Sequence, residues 1–192
     1  MEQAELAGEL KVAASSTPGE FLVPELVARF TALHPAVRQQ VFIADSADVV
    51  EELRERRWDV GFVGAEVPAA GMEFTAVMED EVVLAVPPTH PFAARAEVHL
   101  AELEGQPFLE REGGSGTLLS VRSALEWRHL PQPAYRVVMV LNSTQAIVAA
   151  VQKGYGIGLV SSLALQDQGP AKVARVRVAA LPRSRPIFMV RE

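Results

Sequence analysis

One short pattern occurs twice in this chain, and the repetition constrains its fold more than any other feature. An apolar run leads into a hydroxyl-rich loop and then into a helix-spaced stretch, once from Leu10 and again from Phe108. The copies superpose at a nearly constant offset: Thr17 on Thr117, Ser46 on Ser143 and Gly61 on Gly158, at 100, 97 and 97 residues. Strand and helix in alternation is the order of a parallel sheet covered by helices. Two such sets predict two similar α/β lobes. Their strand-end loops should face each other across a cleft, since open α/β sheets bind ligands outside the carboxyl ends of their strands. The alternative is coincidence, because Ser, Thr and Gly are common where a strand turns into a helix.

In the first copy Leu10, Val12 and Ala13 read as a strand, and the leucines and valines up to Phe30 fall at helical spacing. Pro24 is tolerated only where its missing N–H would have had no partner, so the helix is predicted to begin near Gly19. Ser15, Ser16 and Thr17 then precede a helix N-terminus. They either cap the helix or, with its free N–H groups and dipole, hold an anion. A second strand runs to about Ile43, Asp45 and Ser46 open a helix through Val49, Val50 and Leu53, and VGFVGA reads as a buried parallel strand. Glu81 to Val86 is a further apolar strand, stopped by Pro87 and Pro88, and marks the predicted lobe boundary. The second copy runs through the loop REGGSGT, a helix to Trp127, a strand to Leu141, the loop Asn142, Ser143, Thr144 and a helix to Lys153. Strands near 156–160, 173–178 and 187–190 follow.

Several chemistries are disfavoured. A net charge of −6 speaks against this chain binding nucleic acid or an anionic membrane by itself. With no cysteine, disulfide scaffolds, thiolate metal sites and cysteine nucleophiles are excluded together. His34, His90, His99 and His129 show no metal spacing, and Gly113-Gly114-Ser115-Gly116 is neither a nucleophile elbow nor a P-loop. Its glycines should let the backbone approach a ligand. Gly154-Tyr155-Gly156-Ile157-Gly158 looks like a dinucleotide fingerprint, but it follows a helix and enters a strand, the reverse of that motif, so it reads as a helix stop. No enzyme activity, cofactor or metal is therefore expected. The opening MEQAELAGEL lacks a signal-peptide pattern, and no run is long enough to span a membrane, so the expected location is cytoplasmic.

Taken in order, GELKVAASSTPGEFLVPELVARFTALHP, RRWDVGFVGA, EDEVVLAVPPTHPFA, EREGGSGT and NSTQAIVAAVQKGYGIGLVS resemble the effector-binding domain of LysR-type transcriptional regulators over nearly the whole chain. The resemblance implies a two-lobed type 2 periplasmic-binding-protein fold, each lobe a mixed, mainly parallel sheet flanked by helices. It places the end of a linker helix at 1–8, lobe I at 9–86 plus 186–192, and lobe II at 87–185. The family's winged helix-turn-helix is absent from this chain, so DNA binding belongs to the parent protein, and the family's usual final helix is missing after Glu192.

Carried over by position, the effector contacts are Ser15, Ser16 and Thr17, Asp45 and Ser46, and Gly64 and Ala65 from lobe I. From lobe II they are Arg111, Ser115 and Thr117, and Asn142, Ser143 and Thr144. The glycine loop is similar to the REPGSGTR variant of carbon-fixation and sulfur regulators, with Gly113 for Pro and Leu118 for the last Arg, which weakens the case for a highly charged ligand. Arg111 is either a bidentate anion ligand or a solvated loop residue, and Asp45 either faces a ligand donor or caps its helix. The expected effector is a small polar anionic metabolite. The resemblance further implies a homodimer pairing the helices Glu20 to Leu33 and Leu118 to Arg128, and a homotetramer of the full-length protein. Two other readings remain: an extracytoplasmic solute-binding receptor of the same fold, and an enzyme of the two-lobed kind such as prephenate dehydratase, for which no catalytic constellation is present.

Overall fold

Each repeated unit builds its own sheet, and the chain passes between the sheets twice. The computed structural model describes residues 6–192. The chain runs β1 (Gly8–Ser15), α1 (Ser16–Phe21), α2 (Val23–Leu33), β2 (Val37–Ala44), α3 (Ser46–Arg54), β3 (Val60–Val63) and β4 (Glu73–Asp80). It continues β5 (Val82–Val86), β6 (Glu97–Val98), β7 (Pro107–Arg111), α4 (Gly116–Trp127), β8 (Arg136–Leu141), α5 (Thr144–Gln152), β9 (Ile157–Ser161), β10 (Ala174–Val178) and β11 (Arg185–Arg191). The first sheet has the order β2-β1-β3-β11-β4 and the second β6-β10-β5-β9-β7-β8. In the first, β1 is parallel to β2 and β3, while β11 is antiparallel to β3 and β4. In the second, β7 is parallel to β8 and β9, while β5 is antiparallel to β9 and β10. The expected architecture of two mixed α/β lobes is the observed one.

Burial explains the most informative departure. Every residue of β5 is buried, with Val82, Leu84 and Val86 in one apolar cluster and Val83 and Ala85 in another on the opposite face. A strand covered on both sides belongs at the centre of a sheet, and β5 pairs with β9 and β10. The boundary expected at Val86 is therefore corrected: Val82–Val86 lies in the second sheet, and the crossing falls at Glu81. The strand that closes the first sheet's edge is instead β4, which the sequence reading missed. Only Asp80 is fully buried in β4, so it shows little apolar signal.

The first helix also departs from expectation. It starts at Ser16 rather than near Gly19, breaks at Leu22, and restarts with Pro24 in the first turn of α2. Leu22 N donates to Pro18 O at 2.9 Å and Leu26 N to Leu22 O at 3.2 Å, whereas Pro24 has no N–H to continue the ladder between them. Of the helix expected at 1–8, residues 1–5 lie outside the described residues. Gly8 opens β1 with φ +129°, a backbone region favouring glycine, and does not close a helix.

Candidate functional site

The loops after β1, β2 and β3 meet the loops after β7 and β8, as expected from the carboxyl ends of parallel strands. Ser15 is the N-cap of α1 but makes no side-chain cap bond; its Oγ accepts from Gly64 N at 3.2 Å. Ser16 Oγ and Thr17 Oγ1 each lie 3.3 Å from Thr144 Oγ1 in the other lobe. Beside them lies Arg111, which is buried and not a solvated loop residue. Its Nη1 donates to Thr144 Oγ1 and its Nη2 to Ser16 Oγ, both at 2.8 Å. The same guanidinium is held on its other edge by Glu112, with Nε and Nη2 donating to the two carboxylate oxygens at 2.8 Å. Such bidentate pairing fixes its plane and neutralises its charge.

At the other end of the seam, Asp45 caps α3, accepting from Asp48 N at 2.8 Å, and Ser46 N donates to Gly114 O at 3.1 Å. Gly114 and Gly116 of REGGSGT let this loop approach the opposite lobe closely. A Cβ on Gly114 would collide with the Asp45 carboxylate, and one on Gly116 would sit 2.6 Å from Ser46 Oγ. The hydroxyls of Ser46 and Ser115 are buried there, 0% and 1% exposed, and neither has a hydrogen-bond partner among the described residues. Buried polar groups are nearly always satisfied, which sets these two hydroxyls apart from the paired ones around them.

Ser143 caps α5, accepting from Ala146 N at 3.3 Å and donating to Glu20 Oε1 at 3.0 Å across the seam. Burial raises the Glu20 pKa, against the opposing pull of Ser143 and Arg111. Two expected contacts make no side-chain hydrogen bond across the seam. Asn142 is exposed and makes no side-chain hydrogen bond among the described residues. Ala65, with Gly64, Ser120 and Arg185, lines a groove of about 580 Å³ between α4 and the returning segment Leu181–Phe188.

The sequence reading missed the group that ties the lobes together. Arg185, at the start of β11, donates from Nε and Nη2 to Asp80 Oδ2 at 3.0 and 2.8 Å. Its Nη1 reaches Gly64 O at 3.3 Å, Gly116 O at 3.1 Å and Ser120 Oγ at 3.2 Å, and its Nη2 reaches Thr117 Oγ1 at 3.2 Å. Thr117 thus serves this hinge network. Burial pushes the Arg185 pKa down in spite of Asp80. No local pattern in the sequence signals that pair, whose members stand on the two crossing strands 105 residues apart.

Among the described residues no group of three or more His, Asp or Glu is placed to hold a metal ion, and no helix is long and apolar enough to cross a membrane. The arrangement can donate hydrogen bonds to a small ligand from hydroxyls and helix N-termini of both lobes.

Comparison with known proteins follows the same lines. The family model described as LysR substrate binding domain matches residues 3–192. The HTH-type transcriptional regulator CysL of Bacillus subtilis is 32% identical over 159 residues, covering 83% of this chain and 52% of that protein. This chain spans about half the length of such curated relatives. The regulatory domain of Synechocystis CcmR in complex with 2-PG superposes with a TM-score of 0.82 at 22% identity, covering 95% of this chain and 86% of that one. The effector-binding domain of QuiR in complex with shikimate gives 0.82 at 19%, covering 97% and 88%. At these identities the structural likeness is one of fold.

Proposed function

The chain belongs to the family of LysR substrate-binding domains, and from that premise we propose that it is the sensor portion of a LysR-type regulator, taking a small polar or anionic metabolite between its lobes. The observation that carries the reading is the seam itself: Ser16, Thr17, Thr144 and Arg111 converge from both lobes, and Ser46 and Ser115 are buried without partners among the described residues. The family match favours a sensor over a solute receptor of the same fold. The role is binding rather than catalysis, in the cytoplasm, with DNA bound through a separate N-terminal domain of the full-length protein. A ligand can transmit a signal only by binding two lobe arrangements unequally. Here the hydroxyl contacts hold one lobe against the other, and a ligand inserted among them changes the lobe angle.

The sensor works as a homodimer, and as a homotetramer in the full-length protein. Support comes from the edge strands more than from the helices named in the sequence. Val121 and Leu125 belong to the lobe II core, and Phe21 packs against that lobe. By contrast β8 exposes Val137, Val138, Met139 and Val140, β2 exposes Val41 and Ile43, and α2 exposes Leu26 and Leu33. Unpaired apolar edges of this kind invite pairing with a second copy.

A thermal-shift screen of small organic acids, amino acids and oxyanions, repeated on Thr17→Ala and Thr144→Ala, tests the site. A ligand at about a hundred times its Kd stabilises by about 2.7 kcal/mol. That shift should shrink in both variants, and a shift surviving both overturns the cleft assignment.

A further inference from the structure

The groove beside the seam has the size of a ligand site in its own right. Its volume of about 580 Å³ falls within the range of about 300–1,000 Å³ usual for small-molecule pockets. Its walls come from α4, from residues 64–68 of the first lobe and from the returning segment that carries Arg185. Arg185 separates it from the seam, lining the groove while donating to Gly116 O at 3.1 Å and Thr117 Oγ1 at 3.2 Å. Of the seam hydroxyls, Ser16, Thr17, Ser46, Ser115 and Thr144 take no part in the lining.

Most of the wall is apolar, with Leu119, Leu181, Pro186 and Phe188 beside the indole of Trp127. The two tryptophans of the chain differ sharply. Trp58 stacks on Phe42 with centroids 5.3 Å apart and donates from Nε1 to Glu52 at 3.1 Å. Trp127 is 79% exposed and has neither a ring partner nor a side-chain hydrogen bond among the described residues. Its backbone is nevertheless fixed, because His129 N donates to Glu126 O at 3.0 Å and Leu130 N to Leu125 O at 2.9 Å, closing the last turn of α4. An indole held open on a cavity offers its face to a flat ring.

The neighbouring residue supplies a charge. Arg128 lines both the groove and a smaller cavity of about 150 Å³ that shares Val82, Leu181 and Pro182 with it and adds Arg177 and Arg183. Glu81 engages Arg177, whereas Arg128 and Arg183 make no ion pair among the described residues. A guanidinium at the junction of two cavities is suited to a carboxylate. Glu66 on the groove wall and Glu97 in the smaller cavity count against a second negative charge.

We propose that this groove is a second small-molecule site, taking a flat aromatic monocarboxylate whose ring lies against Trp127 and whose carboxylate pairs with Arg128. The test is a titration of the chain with phenylacetate, followed by the indole N–H resonances of the two tryptophans in isotope-labelled protein, with Trp127→Phe assigning them. The Trp127 signal should shift saturably with a Kd of about 1 mM or tighter while the Trp58 signal stays. Arg128→Gln should weaken phenylacetate about threefold to fivefold, the worth of a partly exposed ion pair, and leave neutral phenylacetamide unchanged. Phthalate, with two carboxylates on one ring, should bind more weakly than benzoate. Ser123→Phe adds bulk at an exposed position of the groove wall, and should abolish the shift while the unliganded chain keeps its Tm. The proposal is overturned if the Trp127 signal is still or never saturates, if Arg128→Gln weakens acid and amide alike, if phthalate binds as tightly as benzoate, or if the shift survives Ser123→Phe. Thr144→Ala should change none of these results, and loss of phenylacetate binding there places the ligand in the seam and overturns the second site.

Discussion

Replacing Arg185 by methionine isolates the hinge. Its guanidinium is buried among groups from both lobes, and the Asp80 side chain opposite is 0% exposed. Methionine keeps the stem's packing and removes the charge. Gly64 O keeps the Ser120 hydroxyl at 3.0 Å, and Asp80 Oδ1 keeps Ser161 at 2.8 Å, so the loss concentrates on Asp80 Oδ2. Stranding one member of a buried ion pair costs about 3–5 kcal/mol, a large share of the roughly 5–15 kcal/mol that stabilises a typical domain. For a chain of this size each kcal/mol moves Tm by about 2–4 °C, which predicts a fall of roughly 6–20 °C. The assay is urea and thermal unfolding followed by circular dichroism on Arg185→Met, Asp80→Asn and the double variant. Because each single change leaves the other partner uncompensated, the double should lose less than the singles summed. A loss below about 1 kcal/mol for Arg185→Met, or additivity in the double, refutes the hinge argument.

Glu20→Gln should show the sign of the raised pKa. The ionised carboxylate costs the fold stability above its folded pKa and nothing below the unfolded value near 4.5, so the variant should gain over the parent at about pH 7 and lose that advantage below about pH 4. A difference independent of pH contradicts the burial of that carboxyl. Gly116→Ala places a Cβ 2.6 Å from Ser46 Oγ and 3.0 Å from the Gly64 backbone. It should force the lobes apart at a cost of about 1–3 kcal/mol, with a larger radius of gyration in solution scattering; an unchanged radius and Tm argue that this contact is slack. Val140→Lys puts a charge on the β8 edge, where Val140 is 58% exposed. Sedimentation at micromolar concentration should move from a dimer mass towards that of one chain, and a persisting dimer excludes this edge.

Apart from β4 and the break at Leu22, the strands, helices and hydroxyl loops of both units were legible in the sequence because they rest on local physics. Period-2 and helical spacing report which faces are buried, and Ser15, Asp45, Ser115 and Ser143 mark the starts of helices that do form there. The pairing of the two loop sets across a cleft was also legible, because strand direction sends those loops to one side of each sheet. What stayed hidden was which particular residues and strands meet across the distant segments. The residues of β5 read as a buried strand, yet nothing local says which of two sheets will bury it; that follows from β9 and β10 lying on either side. Arg185 meets Asp80, and Ser143 meets Glu20 across a separation of 123 residues, only because the chain returns through the hinge and brings α1 against α5. Apolar periodicity is a property of a stretch of chain, whereas the partner of a buried charge is a property of the completed fold, and it was the latter that decided the hinge and the character of the seam.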